Sequence, residues 1–163
     1  RFGLPIVTGF VERKAIAEMY PKDSLADQTN DALVLSAVRC TIGVERYMRQ
    51  RTDAGEVATM IYENNNESKK LIKEVHEALK LQFFSDAPPL QGWQLKDFLP
   101  ITRVVDTAYF AEKEETSILQ VADACAFAIR RFLSRLENGD AWFDLLRDRL
   151  TSTIYGYSRV GKS

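Results

Sequence analysis

The residues most suited to chemistry lie in the segment "SILQVADACAFAIRRFL", residues 117–133, where Gln120 and Asp123 interrupt an apolar run. The spacing of the apolar residues predicts a helix, and a three-residue separation places the amide and the carboxylate close together on its surface. A carboxylate in a half-apolar setting costs free energy unless a metal ion, an arginine or a substrate pairs with it. A plain amphipathic helix would also place both residues on its solvent side, so both interpretations stay open.

A second candidate acid, Glu63, ends the predicted strand "GEVATMIYE" at residues 55–63. Ligand-binding groups of α/β sheets lie just outside the carboxyl ends of the strands. The alternative is an ordinary acid beside the asparagine turn that follows. Asp106 and Glu112 are weaker third candidates. Carboxylates from different elements suit Mg²⁺ or Mn²⁺, which stabilise the attacking and leaving oxygens in phosphodiester cleavage.

Other kinds of site are excluded by what the sequence lacks. It contains no GxxxxGK[ST], GxGxxG, HExxH, GxSxG or paired CxxC motif. The one histidine, His76, is predicted to be partly exposed on a helix boundary, and a single histidine removes most catalytic triads and most zinc sites. Cys40 and Cys125 both lie in apolar helical runs, which predicts buried thiols of a cytoplasmic protein.

The charge pattern limits the partners that the chain could bind. A formal net charge of −1 gives no global basic field, so nucleic acid would have to bind a local patch. The predicted helix at residues 67–84 offers one, because its outer face carries four lysines. They form either a solvated face or a stripe that faces phosphates: Lys69, Lys70, Lys73 and Lys80. No apolar run reaches the 18 residues that a membrane-spanning helix requires, and no signal peptide is visible.

The elements that must position these residues follow from the apolar periodicity. With 163 residues, of which 45% are hydrophobic and 28% charged, the chain fits one globular domain. Strands separated by long helices predict an α/β fold whose sheet is covered on both faces. The pattern predicts strands at 4–13, 55–63 and 101–110, a long helix capped at Asn30 or Asp31, helices at 67–84, 117–133 and 140–150, and a loop at 85–100.

The order of strand, acidic segment and helix in "VVDTAYFAEKEETSILQVADACAFAIRR" resembles the bacterial and phage family called domain of unknown function 3800. The Q-x-x-D of that family corresponds here to Gln120 and Asp123. The segments "LPIVTGFVERKA" and "MIYENNNESKKLIKEVHEAL" are also similar to its middle strands and helix. The resemblance covers residues 4–133.

The resemblance implies a ribonuclease H-like fold, with a central mixed sheet covered by helices on both faces, and a metal-dependent nuclease site. Asp123 would be the acid of the C-terminal helix, and Gln120 its neighbour that orients water or substrate. Glu63 would be the acid at the end of an inner strand, where the family more often has aspartate. Asp123 and Glu63 would together hold Mg²⁺ or Mn²⁺.

Two departures from the family pattern bear on function. The D-E-S segment of the family's first strand does not occur here, so the chain resembles a single domain over residues 1–150 that lacks its first strand or strands, followed by a tail at 151–163. Lys113 stands where the family often has serine. Two functions therefore remain open: a metal-dependent nuclease, or a non-catalytic module of the same fold that binds nucleic acid or a protein.

Overall fold

The computed structural model describes residues 5–19, 21, 24–50, 55–81 and 99–151, and helices predominate among them. The elements are, in chain order, α1 (Arg13–Met19), α2 (Leu25–Gln50), β1 (Ile61–Glu63), α3 (Asn66–Lys80), β2 (Tyr109–Ala111), α4 (Ser117–Leu133), α5 (Gly139–Asp144) and a 3₁₀ helix (Arg147–Arg149). The predicted α/β class is confirmed. Most of the predicted loop at 85–100 and of the predicted tail at 151–163 lies outside the described residues.

The described sheet is small. β1 and β2 pair in parallel, with Glu63 opposite Ala111 at the carboxyl end, and one bridge between Ala58 and Val104 precedes them. The predicted third strand at 101–110 is broken because Asp106 adopts a left-handed backbone conformation (φ 61°), which no strand accommodates. The larger mixed sheet of a ribonuclease H-like fold stays a prediction.

The segment predicted as a strand at residues 4–13 is different in the structure. Its described part makes a single parallel bridge, between Ile6 and Leu150. From there it lies against α2, and a Cβ at Gly9 would come within 2.4 Å of the Ser36 carbonyl oxygen and 2.6 Å of the Cys40 nitrogen. The strand prediction is therefore wrong for most of this segment: glycine allows its backbone to approach a helix rather than a sheet.

α2 begins six residues earlier than the sequence predicts. Ser24 precedes it, and the Ser24 hydroxyl accepts a hydrogen bond from the Asp27 backbone nitrogen at 3.2 Å and donates to the Asp27 carboxylate at 2.6 Å. This is a standard way to satisfy a free backbone donor of the first turn. The predicted caps, Asn30 and Asp31, lie inside the helix instead.

The main core joins α2 and α3 to the chain that precedes β2. Its buried members come from three parts of the sequence: Ala37, Val38, Ile42, Val75, Leu79, Ile101 and Val104. α3 begins with Asn65 as its cap, whose side chain accepts from the Glu67 nitrogen at 2.9 Å. The core thus packs α3 against α2 and the chain before β2, and α3 begins shortly after the carboxyl end of β1.

A buried carboxylate, Glu45, ties α2 to the segment that leads to β2. Glu45 is 0% exposed. It accepts hydrogen bonds from the backbone nitrogens of Thr102 (3.0 Å), Arg103 (2.8 Å) and Val104 (2.9 Å), and from Arg49 Nε at 2.6 Å. These donors replace the water that the carboxylate loses on burial.

A second, smaller core holds the C-terminal helices. Ile129 of α4 and Phe143 of α5 are buried, and the rings of Phe132 and Phe143 stack with centroids 3.9 Å apart. Gly139 opens α5 against α4, where a Cβ would lie 2.8 Å from the Arg131 carbonyl oxygen. Among the described residues, each helix is too short or too polar to cross a membrane.

Candidate carboxylate site

Asp123 lies on the second turn of α4, and a lysine already pairs with its carboxylate. Lys113 Nζ donates to Asp123 Oδ2 at 2.7 Å. The side chain of Asp123 is 62% exposed and that of Lys113 34%, so water screens this ion pair and its contribution to stability is small. The acid thus has the partner that its half-apolar setting requires, and the partner is an ammonium group of the same chain.

Gln120 lies three residues before Asp123 on α4, and its side chain contacts the backbone of the turn that precedes this helix. Its side-chain amide donates to the carbonyl oxygens of Lys113 (3.2 Å) and Glu114 (3.4 Å). Thr116, the cap of α4, makes no side-chain capping bond, so Gln120 fixes the entrance to the helix instead. Gln120 is therefore a positioning residue for the backbone that carries Lys113.

Glu63 lies exposed at the carboxyl end of β1, close enough to influence Lys113. The hydrogen bond to Asp123 raises the pKa of Lys113 most. Desolvation opposes it as the second largest effect, and the negative charges of Asp123, Glu63 and Glu114 each raise the pKa by less. Of the two acids predicted from the sequence, Asp123 contacts Lys113 directly and Glu63 acts on it through its charge. They come from different elements, as a site at the carboxyl edge of a parallel sheet requires.

A hydrogen-bonded chain extends the site to α3. The Asn64 side chain donates to Glu112 Oε1 at 2.6 Å and accepts from Lys69 Nζ at 3.2 Å. The backbone nitrogen of Asn64 also donates to the Ala111 carbonyl at 2.9 Å, which continues the parallel ladder beyond β1. We call Glu63, Glu112, Lys113 and Asp123 the carboxylate edge.

Asp106, the other weak candidate, is not part of this edge. It lies before β2 begins, whereas Glu63 is the last residue of β1 and Glu112 directly follows β2. Its backbone carbonyl accepts a hydrogen bond from Lys80 at the end of α3. The structure therefore uses Asp106 as a turn residue with positive φ.

The carboxylate edge meets part of the requirement for a divalent metal ion. In the part of the chain that the structure describes, no three or more Asp, Glu, His or Cys side chains form a metal-binding group. Mg²⁺, however, is commonly held by only one or two carboxylates, with substrate phosphate and water as the other ligands. Glu63 and Asp123 fit that donor type and number. Lys113 Nζ then occupies a position where a cation would contact Asp123.

The four lysines of the predicted stripe have different environments. Lys70 Nζ lies 3.8 Å from Glu74 in an exposed pair, and Lys80 donates to a backbone carbonyl. Lys69 and Lys73 instead place their ammonium groups over the ring of Phe110, 5.2 and 5.9 Å from its centroid. The four lysines therefore do not form one continuous surface. Among them, only Lys69 and Lys73 face the carboxyl edge of the sheet.

His76 is 2% exposed, so the prediction of a partly exposed side chain is wrong. It lies on the inner face of α3, and its Nε2 makes no hydrogen bond in the described structure. Burial lowers its pKa, and the charge of Lys80 lowers it further, against the opposing charge of Glu77. A buried, neutral imidazole on the core side of α3 does not serve the carboxylate edge.

The two cysteines are free and half-buried rather than fully buried. Burial raises the pKa of both thiols, which lowers their thiolate fraction. Cys40 and Cys125 both line an apolar groove of about 840 Å³ between residues 5–14 and α4. The helix wall of this groove exposes large apolar side chains, among them Ile118 and Val121. Its lining favours apolar groups, and none of the predicted site residues lies in it.

Sequence reasoning missed the groups that connect the site. In the sequence Lys113 stands out only as a departure from the family pattern, and its place ten residues before Asp123 gives no sign of an ion pair. Asn64 belongs to a predicted turn, and its hydrogen bond to Glu112 depends on the parallel register of β1 and β2, which periodicity alone does not give. No family model, curated protein or solved structure matches the chain.

Proposed function

We propose that the carboxylate edge is the active site of a Mg²⁺- or Mn²⁺-dependent phosphodiesterase that acts on nucleic acid, of the ribonuclease H-like kind that the Q-x-x-D resemblance implies. The observation that supports it is the ion pair of Asp123 with Lys113, whose ammonium group also lies within the influence of the Glu63 charge. Glu63 ends a parallel strand, Asp123 lies on a separate helix, and the ammonium group of Lys113 interacts with both.

Three residues of the edge, together with Gln120, have roles in this proposal. Glu63 and Asp123 would hold the divalent ion, which when bound would supply charge stabilisation for phosphodiester cleavage. Lys113 balances the acids before substrate binds and then donates to a phosphate oxygen, since its raised pKa keeps it protonated at neutral pH. Gln120 keeps the turn of Lys113 in place through two carbonyl oxygens.

The test is Mn²⁺-dependent cleavage of a labelled single strand by the wild type, Asp123→Asn and Asp144→Asn. Asp144 is a matched control, because it is a similarly exposed helical aspartate that pairs with Arg147 far from the edge. Loss of a direct ligand costs at least about 100-fold. We expect that loss for Asp123→Asn alone. Equal rates for all three proteins, or no cleavage by the wild type, would refute the assignment.

A second candidate function is a non-catalytic module of the same fold. It is favoured by the way the chain itself satisfies both polar residues of Q-x-x-D: Lys113 pairs with Asp123, and two carbonyl oxygens accept from Gln120. In that case the two residues only shape the turn before α4. Mn²⁺ would then leave the melting temperatures of both the wild type and Asp123→Asn unchanged. If the edge binds metal, Mn²⁺ should raise the melting temperature of the wild type alone.

A further inference from the structure

Two lysines of α3 face a single aromatic ring. Lys69 and Lys73 are one helical turn apart, so their side chains lie on the same face of the helix. Their ammonium groups are 5.2 and 5.9 Å from the centroid of the Phe110 ring, and Tyr62 stacks on the same ring with centroids 6.0 Å apart. The aromatic pair thus gives the two charges a fixed support.

No carboxylate neutralises these two ammonium groups within the described part of the chain. Lys69 donates to the neutral amide oxygen of Asn64, and the only described contact of the Lys73 ammonium is the ring. Lys70, on the neighbouring face of the same helix, lies 3.8 Å from Glu74. Lys14 and Lys113 also have acidic partners. Lys69 and Lys73 therefore differ from the paired lysines around them.

The ring attracts each cation through its quadrupole but cannot neutralise either charge. Two like charges held against one ring repel each other, and an anion that bridges them removes this repulsion. Phosphate oxygens are strong acceptors for lysine ammonium groups. A cationic surface supported by aromatic side chains is also the arrangement that follows the backbone of single-stranded nucleic acid.

The lysine pair is connected to the carboxylate edge. Lys69 donates to Asn64, which in turn donates to Glu112, and Lys113 follows directly in the chain. We propose that Lys69 and Lys73, supported by Phe110, form a phosphate subsite that holds the backbone of a single nucleic-acid strand beside the carboxylate edge. This inference rests on the proposed function, since it places the strand next to the acids.

The experiment measures binding of a fluorescent oligothymidylate of about 12 nucleotides by anisotropy, in EDTA, over a range of salt concentrations. EDTA removes divalent ions, so binding is measured without cleavage. The variants are Lys69→Gln and Lys73→Gln. Lys70→Gln is the control, because it removes the same charge from the same helix at a paired position. Lys69→Arg and Lys73→Arg retain the charge and should restore binding, and circular dichroism checks the helix content of each variant.

Each phosphate contact on a single strand contributes about 0.7 to the slope of log K against log[salt]. We expect Lys69→Gln and Lys73→Gln each to lower the slope by about 0.7 and to weaken binding about fivefold at 0.1 M salt, with Lys70→Gln unchanged. An equal effect of all three substitutions, or no binding by the wild type, would overturn the subsite. Failure of the proposed function would give a different result. Oligothymidylate binding in EDTA would still depend on Lys69 and Lys73, but Asp123→Asn would cleave as fast as the wild type.

Discussion

Replacing Glu45 with glutamine tests the physical account of the fold most sharply. Four N–H groups donate to this carboxylate: its Oε2 accepts from the backbone nitrogens of Arg103 and Val104, and its Oε1 from the Thr102 backbone nitrogen and Arg49 Nε, beside the Thr102 hydroxyl. The NH₂ group of a glutamine must face one of these two sets. At least two donors then lose their acceptor whichever way the amide is turned.

The size of the effect follows from that count. A buried donor left without a partner costs about 1–3 kcal/mol, so two of them predict a loss of about 2–6 kcal/mol for Glu45→Gln, towards the lower end if the NH₂ group faces Arg49, whose side chain is 32% exposed. Urea unfolding followed by circular dichroism at pH 7 measures this loss. Glu74→Gln is the control, since Glu74 is 58% exposed and pairs with Lys70 at the surface, and it should change stability by less than about 0.5 kcal/mol.

The same substitution should change the pH dependence of stability. Burial raises the pKa of Glu45, but hydrogen bonds from the Thr102, Val104 and Arg103 backbone and from Arg49 outweigh it, so the pKa lies below its ordinary value of 4.5. An acid with a lowered pKa in the folded state stabilises the fold above its unfolded pKa, and the stabilisation is lost as pH falls. The wild type should therefore lose stability below about pH 4.5, and Glu45→Gln should lack that part of the loss. A difference under 1 kcal/mol between the two proteins at pH 7 would refute the reasoning.

The other predictions concern the titration of His76 and the close approach of Gly9 to α2. Burial lowers the pKa of His76 below its ordinary 6.5, so the unfolded chain binds more protons and stability falls as pH drops below about 6.5. His76→Leu should therefore flatten this part of the stability profile measured by urea unfolding. A profile equal to that of the wild type would contradict this prediction. Gly9→Ala should destabilise the fold by about 1–3 kcal/mol, because its Cβ would meet the backbone of Ser36 and Cys40. Gly43→Ala, whose Cβ meets only the Val7 side chain, should cost less, and equal melting temperatures for the two variants would show that the segment at 5–12 yields as easily as a side chain.

Local patterns located the helices better than the strands, although α2 begins before its predicted cap and the helix predicted at 140–150 ends at Asp144, before a short 3₁₀ helix. The amphipathic spacing of α3 and α4 identified both, and α4 has the predicted bounds, residues 117–133. Strand length depends on backbone geometry that composition does not reveal. Asp106 takes a positive φ within a β-branched run, and Gly9 brings another such run against a helix instead of a sheet.

The candidate site shows the same limit. Periodicity alone places Glu63 at the end of a strand and Asp123 on a helix, and in the structure Asp123 contacts Lys113 while Glu63 influences it through its charge. The sequence also carries a signal for the buried Glu45, which continues the inward stripe of Val38 and Ile42 at helical spacing. A carboxylate in an inward stripe predicts a set of donors, but only the folded chain shows that they are the backbone nitrogens before β2.

The measurement that tests the central claim most directly is Mn²⁺ binding by calorimetry to the wild type, Asp123→Asn and Lys113→Met. If the edge is a cation site that Lys113 occupies in part, Lys113→Met removes a competing positive charge and should bind Mn²⁺ more tightly than the wild type, while Asp123→Asn should not bind. Equal heats for all three proteins, or no heat from Lys113→Met, would show that Glu63 and Asp123 do not share a metal ion, and would contradict the phosphodiesterase proposal.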